Sequence, residues 1–95
     1  MKAVRIFYDR AVLPDRSIVE MTIWQLPVTD TERPHGLKYS LYYGHGGVRI
    51  VGYDNERGKG DHRHFQGAET AYAFTSVEQL VADFWSDVRT LRGSK

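Results

Sequence analysis

Between Tyr53 and His64 the chain reads YDNERGKGDHRH, and its last four residues, Asp61, His62, Arg63 and His64, combine a carboxylate, two side chains that titrate near neutrality and a fixed cation. In an extended segment two histidines one residue apart point the same way, because side chains at i and i+2 share a face. Upstream, Gly58 and Gly60 bracket Lys59. Glycine reaches backbone angles that turn successive amides to one side, so this turn is a candidate anion seat next to a lysine. The set is an inventory for general acid–base chemistry on a phosphate. No apolar residue follows Tyr53 within the stretch, so it is expected outside the core.

Something must position these residues. A chain of 95 residues makes one domain, and 41% apolar residues with four Phe, six Tyr and two Trp fill a modest core. A domain this small is often marginal alone, so a homodimer or a bound partner would stabilise it. Thirteen basic against twelve acidic residues leave a net charge of only +1, which excludes a general electrostatic nucleic-acid binder and makes any polyanion contact local. The lack of cysteine excludes a disulfide framework and a thiolate zinc site, and fits a reducing compartment. The segment MKAVRIFYDR lacks the apolar run of a signal peptide, and nowhere are there ~18 consecutive apolar residues, so no membrane association and a cytoplasmic location are expected.

Residues 3–9 alternate like a strand, with Val4, Ile6 and Tyr8 expected on one face. The run Leu13-Pro14-Asp15-Arg16-Ser17 then predicts a hairpin turn. Residues 18–26 read as a strand with both faces partly covered, and residues 28–36 as a loop whose memorable ionisable group is His35. Residues 37–43 and 48–53 read as a strand pair joined through Gly44-His45-Gly46-Gly47. Residues 66–69 are a further turn, and residues 71–74 add a fifth strand or lead into a helix. That helix begins at Thr75 or Ser76, with Thr75-x-x-Glu78 fitting a capping box. It carries Val77, Leu80, Val81, Phe84, Val88 and Leu91 on one face and places Asp83 and Asp87 on the other, ending at Gly93. The fold class is α+β: an antiparallel sheet of four or five strands with one amphipathic C-terminal helix packed on one face.

The segments IVEMTIWQLP, LKYSLYYG, GVRIVGYDNERGKGDHRH and SVEQLVADFWSDVRTL, in this order, resemble the TumE family of bacterial toxins over nearly the whole chain. The resemblance implies the toxin of a toxin–antitoxin module, made beside a DNA-binding antitoxin that is its partner. It brings no catalytic assignment, so the roles of the residues are argued from chemistry.

Metal-free RNA cleavage needs a base for the 2′-hydroxyl proton, an acid for the leaving 5′-oxygen and cations for the phosphate. His62 and His64 fit the acid–base pair. Lys59 and Arg63, with Arg57 in reserve and the Gly58 and Gly60 amides, fit the phosphate. Asp61 or Asp54 fits the carboxylate that fixes a histidine tautomer, and Tyr53 or Tyr43 can stack a base. This reading is a metal-independent endoribonuclease without a cofactor, RNA being its substrate. Three alternatives stay open: a non-enzymatic module that docks a cellular target or the antitoxin through residues 53–64, a metal site from Asp61, His62 and His64, and a solvated turn of weakly paired charges.

Overall fold

Turns that close tightly decide this architecture. In the computed structural model, which describes residues 2–31, 33–56, 58 and 60–93, six strands follow one another as an antiparallel meander: β1 (Val4–Val12), β2 (Ile18–Gln25), β3 (Leu37–His45), β4 (Val48–Asp54), β5 (His62–Phe65) and β6 (Ala68–Ala71). The helix α1 (Val77–Leu91) comes after them. The chain is thus α+β with one strand more than the largest number expected from sequence. The additional hairpin is β5–β6. Its turn residues Gln66 and Gly67 have φ of 50° and 85°, and the β3–β4 turn residues Gly46 and Gly47 have φ of 60° and 80°. Two successive positive φ values give the hairpin turn whose twist matches that of its strands. The pair escaped sequence reading because β5 and β6 are short and carry mostly polar residues, so no hydrophobic alternation marks them. The β1–β2 turn is where proline and aspartate placed it, with Leu13 N–H donating to Ser17 O at 2.8 Å and Ser17 N–H to Asp15 Oδ1 at 3.0 Å.

One face of the sheet is the core face. Val19, Met21 and Ile23 of β2, Tyr39, Leu41 and Tyr43 of β3, and Val51 and Tyr53 of β4 meet Leu80, Phe84 and Val88 of α1. These three helical residues recur every four positions, the spacing of one helical stripe. The helix starts at Ser76 rather than Thr75: the Ser76 hydroxyl accepts from Gln79 N–H at 3.0 Å. Asp83 and Asp87 do not lie on the outer side as expected. They follow Leu80 and Phe84 by three residues and so border the apolar stripe. Asp83 accepts from the Tyr72 hydroxyl at 2.6 Å, and Asp87 from the Tyr53 hydroxyl at 2.6 Å and from Arg63 at 2.7 and 2.9 Å. Tyr53, expected to begin the exposed stretch, is only 2% exposed.

Two bulges re-aim side chains on the opposite, open face. Between Arg5 and Phe7 the β1–β2 register shifts so that Ile6 is the extra residue, and Arg5 pairs with Trp24 while Tyr8 pairs with Thr22. The strict alternation of Val4, Ile6 and Tyr8 is therefore broken, and Arg5 and Tyr8 share the open face. In the β3–β4 ladder Gly44 pairs with Arg49 and Tyr43 with Val51, leaving Ile50 as the extra residue. Strand β1 itself buries almost nothing: all but Ala11 are exposed.

Because Phe84 is fully buried at the centre of the helix stripe, Phe84→Ala is expected to cost about 3–5 kcal/mol, the range for a large core aromatic. Thermal melting checks this, and an unchanged midpoint would contradict the packing described.

Candidate functional site

Strand β5 sorts its residues by alternation: Arg63 and Phe65 face α1, and His62 and His64 face away from it. The two imidazoles lie 4.9 Å apart between centroids, at 76° to each other. Across the ladder from β4, Asp54 stands opposite His62 and Gly52 opposite His64. The next strand puts Glu69 opposite His64.

The partners of the two rings differ. His62 Nδ1 is 3.0 Å from the Gly60 carbonyl, while its Nε2 meets the buried Oδ1 of Asp54 in an ion pair. Both partners are acceptors. His64 Nδ1 instead receives a hydrogen bond from Arg49 Nη2 at 3.1 Å, and a guanidinium only donates. That nitrogen must be unprotonated. Burial first, and the Arg49 charge second, hold the His64 pKa below its ordinary 6.5. One ring thus stands between two acceptors, and its neighbour accepts from a guanidinium.

Arg49 and Glu69 form the rim. Arg49 Nη1 is 3.6 Å from Asp54 Oδ2, and Glu69 carboxylate oxygens lie 3.7 Å from His62 Nε2 and 3.9 Å from His64 Nδ1. Their side chains are 42% and 47% exposed, against 7% and 14% for the histidines. The rim is therefore the outermost part of the cluster. Arg49 lies flat because residue 52 is glycine: a Cβ there would be 2.7 Å from Arg49 Cδ. Neither rim residue is prominent in the sequence. Strict alternation back from Tyr53 and Val51 puts Arg49 on the core face, and only the extra residue Ile50 brings it to the open one.

Of the other residues singled out by the sequence, Asp54 is the carboxylate beside His62, and Asp61 is elsewhere. Asp61 Oδ2 is 2.9 Å from His35 Nε2 and accepts from the Tyr39 hydroxyl at 2.8 Å. Leu37 N–H donates to His35 Nδ1 at 3.1 Å, so the His35 proton sits on Nε2, facing Asp61. Burial first, then Asp61, push the Tyr39 hydroxyl far above its ordinary pKa, so it stays a donor. Asn55 is buried and continues the β3 ladder, accepting from Tyr39 N–H at 3.0 Å and donating to Leu37 O at 2.7 Å. These contacts pin both ends of the loop between β4 and β5. Within it Gly58 and Gly60 have φ of 86° and 72°, as the turn reading required. Gly60 presents its carbonyl to His62. Arg57 and Lys59 lie outside the described residues, and with them the proposed anion seat.

The structure does not bring Arg63, Tyr53 or Tyr43 to the histidine pair. All three are on the core side: Arg63 and Tyr53 meet at Asp87, and the buried Tyr43 hydroxyl accepts from Arg92 at 3.3 Å. Burial and Asp87 raise the Tyr53 hydroxyl well above its usual range. Neither tyrosine ring is open for a base to stack on.

Arg49→Ala removes the charge that presses on His64, and Gly52→Ala displaces the same guanidinium by its added methyl. Both are expected to raise the His64 pKa toward 6.5, read from an NMR titration of the ring C–H signals. A pKa unmoved in both variants would place the cause in burial alone.

No curated protein and no solved structure matches this chain. Among the described residues no helix is long and apolar enough to cross a membrane. A family model described as Toxin TumE matches residues 2–92, close to the full length of a chain whose six strands, helix and histidine pair all fall within that span. The chain therefore belongs to the TumE toxin family, as the toxin component of a toxin–antitoxin module whose implied partner is an antitoxin.

Proposed function

We propose that this toxin is a metal-independent endoribonuclease in which His64 is the base and His62 the acid. The observation that carries the reading is the contrast in partners: His64 Nδ1 accepts from Arg49, while His62 stands between two acceptors, Asp54 and the Gly60 carbonyl. That contrast suits one ring to take a proton and the other to give one.

In the proposed step Arg49 leaves His64 for the scissile phosphate, which frees Nδ1. His64 removes the 2′-hydroxyl proton, the 2′-oxygen attacks phosphorus, and the P–O5′ bond breaks as His62 turns its Nδ1 proton from the Gly60 carbonyl to the departing 5′-oxygen. The products are a 2′,3′-cyclic phosphate and a 5′-hydroxyl, and water returns the proton from His64 to His62. Asp54 holds the His62 ring and stabilises its charge. Arg57 and Lys59 keep the phosphate-binding role proposed from sequence, with Gly58 and Gly60 on either side of Lys59. Asp61 acts at a distance, fixing the loop through His35 and Tyr39.

A second reading has a specific observation behind it. Asp54, His62 and His64 offer donor atoms all within 4.8 Å of one another, a two-histidine, one-carboxylate set suited to zinc or nickel. Here Asp54 replaces the Asp61 considered from sequence.

Cleavage of an RNA oligomer measured against pH with EDTA present separates these readings. The expected profile is bell-shaped, its rising limb below 6.5 because the His64 pKa is lowered. His64→Ala should remove the rising limb and His62→Ala the falling one, each lowering the maximum about 10²–10⁴-fold, the weight of one proton-transfer group. Loss of all cleavage in EDTA, restored by zinc, selects the metal reading. A folded double variant that cleaves nothing yet remains toxic selects a docking module acting through residues 53–64.

A further inference from the structure

The open face of the sheet continues from the histidine pair across β4, β3, β2 and β1, and the residues there are not those of an ordinary solvated face. Tyr42 of β3 lies down on the sheet. A Cβ at Gly44 would be 2.2 Å from the Tyr42 hydroxyl oxygen, so the ring occupies the space a side chain would fill. Farther out, the Ile6 bulge turns Arg5 toward this face, where its guanidinium sits 4.6 Å from the Tyr8 ring centroid and 5.7 Å from that of Trp24. Lys38 stands opposite Trp24 in the register, and Arg49 lies flat over Gly52 beside the histidines.

The face therefore alternates aromatic planes with cations. Its carboxylate on β2, Glu20, accepts from the Tyr8 hydroxyl at 2.9 Å. The cations Arg5, Lys38 and Arg49 have phosphate as their natural complement, and with the carboxylates Glu20, Asp54 and Glu69 on the same face these are local contacts rather than a general positive field. Flat aromatic and guanidinium planes suit unstacked bases, because each base has a π face whatever its identity. A duplex keeps its bases stacked on each other and offers those planes nothing. At roughly 4.8 Å per strand the platform from β1 to β5 spans about 19 Å.

We infer that the open face of the sheet, centred on Tyr42 and the Arg5–Tyr8–Trp24 cluster, is a stacking platform for single-stranded RNA that leads the strand to His62 and His64. The inference rests on the ribonuclease reading for the identity of the polyanion. It adds where the bases go and which strand form is accepted.

The test is fluorescence anisotropy with a labelled single-stranded RNA of about 12 nucleotides, within the site size of one such domain. The protein is the His62→Ala/His64→Ala variant. The unsubstituted protein with 2′-O-methyl RNA, which lacks the attacking hydroxyl, gives the same measurement should that variant not fold. Single strands should bind at least tenfold tighter than a duplex of the same sequence. Tyr42→Ala or Arg5→Ala should weaken binding about 5- to 100-fold, the weight of one stacked base, while Tyr42→Phe binds like the parent. Lys38→Ala should lower the slope of log affinity against log salt by about 0.7, one phosphate contact on a single strand. Equal affinity for duplex, undiminished binding by both Tyr42→Ala and Arg5→Ala, or no binding at low salt overturns the platform. The two readings fail separately: undiminished binding together with cleavage that persists when Tyr42→Ala and Arg5→Ala are placed in the protein with both histidines intact removes the platform alone, whereas single-strand binding without cleavage by the unsubstituted protein removes the ribonuclease alone.

Discussion

The bond that sets everything else in place is the pair between Arg63 of β5 and Asp87 of α1. It is bidentate, at 2.7 and 2.9 Å, and the Tyr53 hydroxyl from β4 joins it. Paired charge-assisted bonds of this kind fix orientation as well as distance, so helix and strand are locked in one relative register. A strand has only two faces. Once Arg63 is committed to the helix, His62 and His64 must look the other way, and the β4–β5 ladder then brings Asp54 and Gly52 under them. An arginine in the middle of a candidate catalytic run thus serves it from behind.

Two histidine–carboxylate pairs stand at the same end of the sheet and illustrate how position divides their work. His35 with Asp61 packs against Phe74, at 4.2 Å between ring centroids, and shares its carboxylate with Tyr39 on the core side. It braces the loop between β4 and β5 and spends its donors internally. His62 with Asp54 lies on the open side, next to a second imidazole and the Arg49 guanidinium. Similar side chains make a brace where they are enclosed by aromatic rings and a cluster with an open rim where they lie on the other face.

What could be read in the sequence was what is local. The helix stripe of Leu80, Phe84 and Val88, the β1–β2 turn at Pro14 and Asp15, and the positive torsions of Gly58 and Gly60 depend on residues a few positions apart. What could not be read depends on an extra residue or on a distant partner. Ile6 and Ile50 each break a two-residue period, and each moves an arginine to the face that simple alternation denies it. The choice of Asp54 over Asp61 beside His62 follows from ladder register. The acids Asp83 and Asp87 read as outward-facing because hydrophobicity alone cannot reveal a buried tyrosine hydroxyl waiting for an acceptor.

The strand order has a consequence for how the molecule is made. Each strand pairs with its neighbours in sequence, so hairpins can form one after another as the chain lengthens, with short loops to close and little entropy lost at each step. The residues that cover the sheet are the exception: Leu80, Phe84 and Val88 follow all six strands. Until they have been synthesised, Val19, Ile23, Leu41 and Val51 face water. A chain cut short before the helix is therefore a ribbon without its core, and the histidine pair gains its support only when α1 packs behind it.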